Sequence, residues 1–521
     1  MPREVVIVGS GFGGAVCACR LAAAGRDVLV LERGREWDPK DYPREPGDAW
    51  IWDVDEPERQ HGWIDLRIMD EMWVAQGAGV GGGSLIYANV SIDAPLETFD
   101  DGWPKAISAA ELAPYYAKVS AMLQNSPLPD GQLTPRFRLM REAAEAIGEG
   151  HRFRKLDLAV SFSDQWNPEL KDPTNDHHSV KFKNPHGQWQ GTCVHCGNCD
   201  VGCQVRAKNT LDLNYLAAAR TAGAEIHPLS LVSHIEPIGS AWRVYYDMLS
   251  EGRRNPSYVD THRVILAAGS LGSTEILLRS RDQYKTLQNL PKTLGHGWSS
   301  NGDFLTPAIY EDRDVSPTFG PTITAAIDFL RNGHNGARFF VEDGGFPNLI
   351  ANFVKARREH SGSWAEKRIL KNLGKGLGKD PMRHVMPWFG QAIDGGNGQL
   401  YLGRRWFAPW KRALKLDWNP AASMLGINGL ISMHKALSAA TGGKALDVPT
   451  WTIFSTLITP HPLGGCNMST GPSTGVVDDC GRVFGHPGLQ VLDGSIVPRP
   501  IGLNPSKTIA ALAERACALQ G

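Results

Sequence analysis

Three observations predict an α/β fold that carries an inserted α+β domain. The first is a strand, glycine turn, helix and strand running from Val5 to Glu32, and the second is a Gly/Ser turn off a much later strand, at 267–273. The third is a block of alternating strands and many tryptophans at about 303–455. Returning α/β rhythm on both sides of that block makes the first domain discontinuous, built from 1–96, 191–302 and 456–521. Residues 97–190 and 303–455 then form a second, antiparallel-sheet domain that faces the substrate.

The opening stretch, Val5-Val-Ile-Val-Gly9-Ser-Gly11-Phe12-Gly13-Gly14, begins with an apolar run of the length of a strand buried on both faces. An Ala-rich helix, a Gly25 cap and a second apolar strand ending in Glu32 complete the unit. In this G-x-G-x-x-G pattern Gly9 makes the tight turn, Gly11 lets the main chain approach a pyrophosphate, and Gly14 packs the helix on the strand. The diphosphate would sit at the helix N-terminus, and Glu32 would accept from ribose hydroxyls. The unit therefore reads as a Rossmann-type dinucleotide site. Whether its ligand is a passing NAD(P) or a resident FAD stays open at this point.

Lys and Arg number 54 against 55 Asp and Glu, a net charge of −1, so no global field points to nucleic acid. No apolar run reaches the ~18 residues that span a bilayer, and a strand starting at Glu4 or Val5 leaves no room for a leader. The expectation is a cytoplasmic chain whose cysteines are mostly reduced. Cys17, Cys19 and Cys517, on the first and last helices, read as small buried hydrophobes.

Residues 33–72 are rich in Pro and Trp, lack periodicity and read as a long loop hugging the surface. The Gly-rich run from Gly77 through Gly79, Gly82 and Gly83 to Ser84 cannot build a side-chain core, but it lets main-chain N–H groups approach a flat or anionic ligand. A helix over 108–123 opens with Ser108 and Glu111 at capping-box spacing. Residues 211–222 read as a helix, 225–235, 241–249 and 258–266 as strands, and 267–273 as a turn opening a helix over 274–280. In the middle block 321–330, 337–341 and 398–402 read as strands, and 506–519 as the closing helix.

Several motifs now stand in order: the glycine hexad with Glu32, Gly79-Val-Gly-Gly-Gly-Ser84, Ala268-Gly-Ser-Leu-Gly-Ser-Thr-Glu275, His461-Pro-Leu-Gly-Gly-Cys466, Asp493-Gly-Ser495 and Asn504-Pro505. In these the chain resembles the glucose–methanol–choline (GMC) oxidoreductases, and among them the bacterial cholesterol-oxidase-like branch. Residues 40–72 and 350–390 carry none of the likeness. The resemblance implies a resident FAD and oxidation of an alcohol by hydride transfer to flavin N5, on a bulky apolar substrate. By position, Gly9, Gly11, Gly14 and Glu32 would take the ADP half, with Phe12, Gly13 and Arg33 beside them. Gly79 to Ser84, Asn89, Val232, Asp493 and Gly494 would line adenine, ribityl chain or isoalloxazine, with Ala268, Gly269, Asn504 and Pro505 as further contacts.

Alcohol oxidation needs an acceptor for the hydroxyl proton, a group that holds the oxygen, and a C–H aimed at the flavin. His461 and Asn504 supply those types: a neutral imidazole of ordinary pKa ~6.5 can take the proton, whereas the amide can hold the oxygen but cannot be the base. Branch members that also isomerise a steroid carry a further carboxylate in the substrate domain. The segment expected to hold it, Met382-Arg-His384-Val-Met-Pro-Trp388, has no acid, and His384 is its only stand-in. The alternatives to alcohol oxidation are a GMC-type flavoprotein with other chemistry, such as fatty-acid photodecarboxylation, and an FAD-bearing electron-transfer protein without turnover.

Two features lie outside these motifs. Residues 355–383 are basic with an apolar helical face, and Trp364, Trp388, Trp406, Trp410 and Trp418 lie nearby. They suit a segment resting on an anionic bilayer, and equally a solvated lid helix. Cys193, Cys196, Cys199 and Cys203 reproduce the C-x₂-C-x₂-C-x₃-C ferredoxin run without its proline, since Gln204 follows. A [4Fe–4S] cluster and unligated thiols packing the loop are both open, while zinc fits less well because its Cys₄ sites separate two pairs by a longer loop. A cluster would favour a quinone or redox protein as electron acceptor, and its absence would favour O₂.

Overall fold

The strand Arg3–Val8 is buried from Val5 onward and runs parallel to both its neighbours, Val28–Leu31 and Arg253–Leu266. Burial on both sides explains its unbroken apolar sequence. The computed structural model describes residues 2–45, 47–69, 72–347, 381–405, 408–446 and 457–520. Glu225–His227 extends the sheet beyond Val28–Leu31, and Leu489–Val491 joins it parallel to Arg253–Leu266. From Arg253–Leu266 the sheet turns antiparallel through Ala241–Ser250 to Ser230–Ile238.

The strand expected over 225–235 is thus two strands on opposite sides of the sheet. Pro228 has no N–H to offer a ladder and Leu229 takes a φ of 54°, so the chain leaves the parallel edge there. Arg253–Leu266 starts earlier than the expected 258 because Glu251 and Gly252, at φ 51° and 69°, close a tight hairpin. The segment expected as a turn before a helix is itself the start of the helix Gly269–Leu278. The helix expected over 211–222 begins only at Tyr215, whose N–H is capped by the Asn214 side chain at 2.7 Å. The Ser108 cap is as expected, its hydroxyl accepting from the Glu111 N–H at 3.2 Å.

Helix Phe12–Ala23 packs against Tyr215–Thr221 and the closing helix Ser506–Ala518. One ion pair joins all three: Arg20 donates to both Glu514 oxygens at 2.6 and 2.8 Å, and the Tyr215 hydroxyl donates to the same carboxylate at 2.7 Å. Cys17 and Cys517 meet at 3.8 Å between these helices as buried thiols.

The inserted sheet has six antiparallel strands in the order Lys444–Ala445, Phe304–Ile309, Val385–Ala392, Phe339–Asp343, Ala325–Asp328 and Phe153–Lys155. Helices Pro135–Ala146 and Met424–Ala440 pack on it, and neither was expected. Thr134-Pro135 carried the missing signal for the first of them: the Thr134 hydroxyl accepts from the Phe137 N–H at 3.1 Å. Trp388 and Trp418 are buried in this domain, so they present no outward aromatic face. Residues 355–380 and the side chains of Trp406 and Trp410, the rest of the expected basic and aromatic surface, lie outside the described residues. Among the described residues no helix is long and apolar enough to cross a membrane.

A small three-stranded sheet joins Ile64–Ile68, Met72–Gly77 and Leu457–Thr459. Its first strand comes from the stretch read as a surface loop, and Trp52 and Trp63 in that stretch are fully buried.

Replacing Glu514 by Ala removes the acceptor shared by Arg20 and Tyr215. The expected loss is about 2–3 kcal/mol, less than the roughly 3–5 of a fully buried pair because a third of Arg20 faces solvent. Urea unfolding of the variant against the parent measures it, and an unchanged midpoint would show that the ion pair does not hold the helices.

Candidate active site

Both domains contribute to one cavity of about 620 Å³, within the usual range of ligand sites. At its nucleotide end Gly9 holds a φ of 96°, and a Cβ there would lie 2.4 Å from the Ala267 carbonyl. A Cβ on Gly11 would instead meet nothing within 4 Å. Gly11 therefore leaves the main chain open to the cavity at the start of the Phe12–Ala23 helix. That helix has no side-chain cap and no acidic residue in its first turn, so its leading N–H groups remain available to an anion.

The other glycines of the turn serve packing. A Cβ on Gly13 would come 1.7 Å from the Leu492 carbonyl and one on Gly14 2.1 Å from the Gly9 carbonyl; Gly13 still borders the cavity and Gly14 does not. Glu32 borders it too, while one carboxylate oxygen accepts from the Ser10 N–H (3.0 Å) and hydroxyl (2.6 Å) and the other from the Gly34 N–H (2.9 Å). It shapes the turn that it would serve as ribose acceptor.

Phe12, Arg33, Gly82, Gly83, Val232, Ala268, Gly269, Gly494 and Pro505 also line the cavity. Gly79 and Ser84 stand behind the wall: Gly79 packs on Trp37, and the Ser84 hydroxyl donates to the Gly81 carbonyl at 2.7 Å and accepts from Leu211 N–H at 3.1 Å. Asp493 borders the cavity with its carboxylate already accepting from Gly269, Ser273 and Ser495. Asn89, between the lining residues Ala88 and Val90, is fully buried at φ 68° with neither amide atom partnered. An unpaired buried amide costs about 1–3 kcal/mol. A polar ligand would relieve it.

At the other end the cavity is lined by His461 and Asn504. The strand Leu457–Thr459 delivers His461, and the Thr459 hydroxyl accepts the His461 N–H at 2.9 Å. Asp303, buried at the head of strand Phe304–Ile309, accepts from Thr459 at 2.5 Å and bonds His461 Nδ1 at 2.8 Å. With Nδ1 donating to a carboxylate, Nε2 is the nitrogen left to meet a ligand. Asn301, two residues earlier, accepts from the Ile501 and Gly502 N–H groups at 3.0 and 2.9 Å and donates to the Leu503 carbonyl at 2.9 Å. It thereby fixes the loop that presents Asn504, whose Oδ1 is buried without a partner.

The wall facing this pair belongs to the inserted sheet. Leu305 and Phe389 line it and are directly paired, and Phe389 is paired on its other side with Glu342. Residues opposite one another across strands point to the same face. Glu342 therefore lies on the same sheet face, behind the lining residues and fully buried, with one oxygen accepting from Gln391 at 2.9 Å and the other unpartnered. His384, the stand-in offered by the acid-free segment 382–388, bonds the Arg313 carbonyl at 2.7 Å and does not line the cavity. Nearby wall loops are clamped by fully buried Arg136, which donates to the Phe319, Pro321, Thr322 and Gly344 carbonyls.

Burial pushes the Glu342 carboxyl up to about 7. Burial also works to lower His461, but the charge and hydrogen bond of Asp303, joined by the charge of Glu342, outweigh it and raise the imidazole above 6.5. The expected unperturbed histidine is thus replaced by one held toward its cationic form.

Comparison with known proteins follows this geometry. Two family models described as GMC oxidoreductase match residues 4–283 and 434–513. A cholesterol oxidase from Acinetobacter baumannii is 29% identical over 98% of this chain and 93% of its own. One from Mycobacterium tuberculosis is 28% identical over 99% and 90%. A long-chain-alcohol oxidase from Arabidopsis thaliana is 23% identical over 98% of this chain and 66% of its own. Among solved structures, pyridoxine 4-oxidase from Mesorbium loti superposes with a TM-score of 0.64 at 16% identity over 99% of both chains, a likeness of fold.

The imidazole pair makes a direct prediction. NMR titration of histidine-labelled protein should place His461 above 6.5, and Asp303→Asn should lower its midpoint by removing the counter-charge while Glu342 remains. An Asp303→Asn midpoint equal to the parent's would show that Asp303 does not control this imidazole.

Proposed function

Because the chain belongs to the GMC oxidoreductase family, we propose that it is an FAD-dependent enzyme that oxidises the hydroxyl group of a bulky apolar alcohol to a carbonyl. The observation that carries this reading is the convergence of His461 and Asn504 on one cavity, the first with Nδ1 tied to Asp303 and the second with an unpartnered oxygen. Bound FAD would supply the hydride acceptor. Gly11, the amides that follow it and Glu32 suit its ADP half, and the unpaired Asn89 amide and the loop at Gly494 suit the remainder.

The chain's own residues manage the alcohol. His461 accepts the hydroxyl proton at Nε2 in its neutral form, and Asp303 stabilises the imidazolium that results. The Asn504 amide holds the oxygen as its charge develops. Leu305, Ile323, Phe346 and Phe389 wall the far side with hydrocarbon, which suits a large apolar scaffold and keeps water from the reacting carbon. Neither a pure electron carrier nor a photodecarboxylase needs this proton acceptor.

Anaerobic addition of sterol, long-chain and aryl alcohols should bleach the bound flavin for at least one class. The bleaching rate should rise with pH through the raised His461 pKa, because only the neutral imidazole accepts a proton. His461→Gln should slow it by about 10²–10⁴-fold with flavin content kept. Failure of the whole panel would overturn alcohol oxidation and leave the carrier or photodecarboxylation readings.

Glu342 supports a second step. A carboxyl that burial pushes up to about 7, next to the lining residue Phe389, can move a proton between substrate carbons, the role implied by the resemblance for isomerising members. With a 3-hydroxy-5-ene steroid, Glu342→Gln should leave flavin bleaching within about threefold of the parent and abolish migration of the double bond in the product. Equal migration in both proteins would remove Glu342 from that role.

A further inference from the structure

The cysteine run is the one motif that alcohol oxidation does not use. Its four thiols lie on one loop, which takes left-handed backbone at His195 (57°), Gly197 (74°), Gly202 (96°) and Arg206 (55°). Two of the sulfurs accept main-chain N–H groups, Cys193 from His195 at 3.4 Å and Cys203 from Ala207 at 3.2 Å. Such donors also tune cluster sulfurs.

No three of the four sulfurs lie within 4.8 Å of one another. Among the described residues, the only set of three or more His, Cys, Asp or Glu ligand atoms within 4.8 Å of one another is Asp478, Asp479 and Cys480. Thiolates on a single tetrahedral zinc would sit about 3.8 Å apart, given Zn–S of about 2.3 Å. A four-iron cluster spans more.

The surroundings carry positive charge with no matching acid in their hydrogen bonds. Lys208 is buried beside the run and donates to the Leu85, Tyr87 and Cys199 carbonyls at 2.9, 2.9 and 2.7 Å. Arg44 donates to the Val201 and Gly202 carbonyls at 2.5 and 2.7 Å. Both cations hydrogen-bond carbonyls, with Asp200 and Asp212 in charge reach of Lys208 and Asp176 of Arg44, and a cluster on four thiolates would add negative charge beside them. The loop is also part of the cavity wall: Asp200 and Val201, between Cys199 and Cys203, line it, as does Tyr87.

The geometry points to an iron–sulfur cluster on Cys193, Cys196, Cys199 and Cys203 that takes electrons from the reduced flavin. Each hydride-reduced flavin gives up two electrons in two single transfers through the cluster and releases the one proton that arrived with the hydride, while the hydroxyl proton leaves to solvent from His461. The cluster passes each electron to an external one-electron acceptor, which is reduced in turn. The electron path rests on the FAD reading; the cluster does not.

Protein purified without oxygen should contain about four iron and four acid-labile sulfide per chain and give an EPR signal after dithionite. Cys196→Ser and Cys199→Ser should lose the iron and keep the flavin, and their substrate-reduced flavin should be reoxidised by ferricenium at least tenfold more slowly. Near-zero iron in the parent, after reconstitution with ferrous iron and sulfide as well, overturns the cluster even if the variants do not fold, and so does stoichiometric zinc. Iron present with unchanged reoxidation in the variants overturns the electron path. Iron present without flavin counts against the FAD reading and leaves the cluster standing.

Discussion

The turn at 299–303 is the constraint on which the catalytic end depends. Ser299 and Ser300 are anchored on Asp394, Asn301 holds the loop before Asn504, and Asp303 holds His461. Asn301 sits at φ 58°, where a short polar side chain is tolerated and a branched one is strained. The two residues that would meet the alcohol come from 461 and 504, yet their relative position is set by this one buried turn. A shift of one residue in it would misplace both together.

Much of the nucleotide end was legible because its rules are local. A strand, a glycine turn and a helix are contiguous, and each glycine's reason can be read from what its Cβ would strike. The catalytic end was legible only in part: His461 and Asn504 sit in recognisable motifs, whereas Asp303 and Glu342 are single acids in stretches without a pattern. Glu342 becomes visible only through register. Pairing with Phe389, itself paired with Leu305, puts it on the sheet face that these lining residues share, and a shift of one residue would turn it away. The acid-free segment 382–388 leads into the neighbouring strand, which supplies Phe389 and Gln391. The strand break at Pro228 and Leu229 and the helix capped by Thr134 were local signals, and they were missed in favour of apolar continuity.

The two ends of the cavity use different materials for a physical reason. A diphosphate is fixed in charge, so main-chain amides and a helix terminus can hold it without moving protons. An alcohol must lose a proton, and that needs side chains whose charge can change. Such groups are costly to bury alone, which accounts for the pairing of His461 with Asp303 in an otherwise apolar chamber.

Glu342 then stands in a defined relation to that pair. When His461 is neutral, Asp303 is the nearest fixed anion and a second charge on Glu342 is opposed by burial, so the carboxyl tends to keep its proton. In the proposed reaction, once His461 had taken the alcohol proton the imidazolium would favour an ionised Glu342, since each group lies within the other's charge influence. The proposed oxidation would thereby prepare the carboxylate it leaves behind. A base that becomes charged only after the first proton has moved would act on the carbonyl product rather than on the alcohol, which orders the two steps without any movement of the chain.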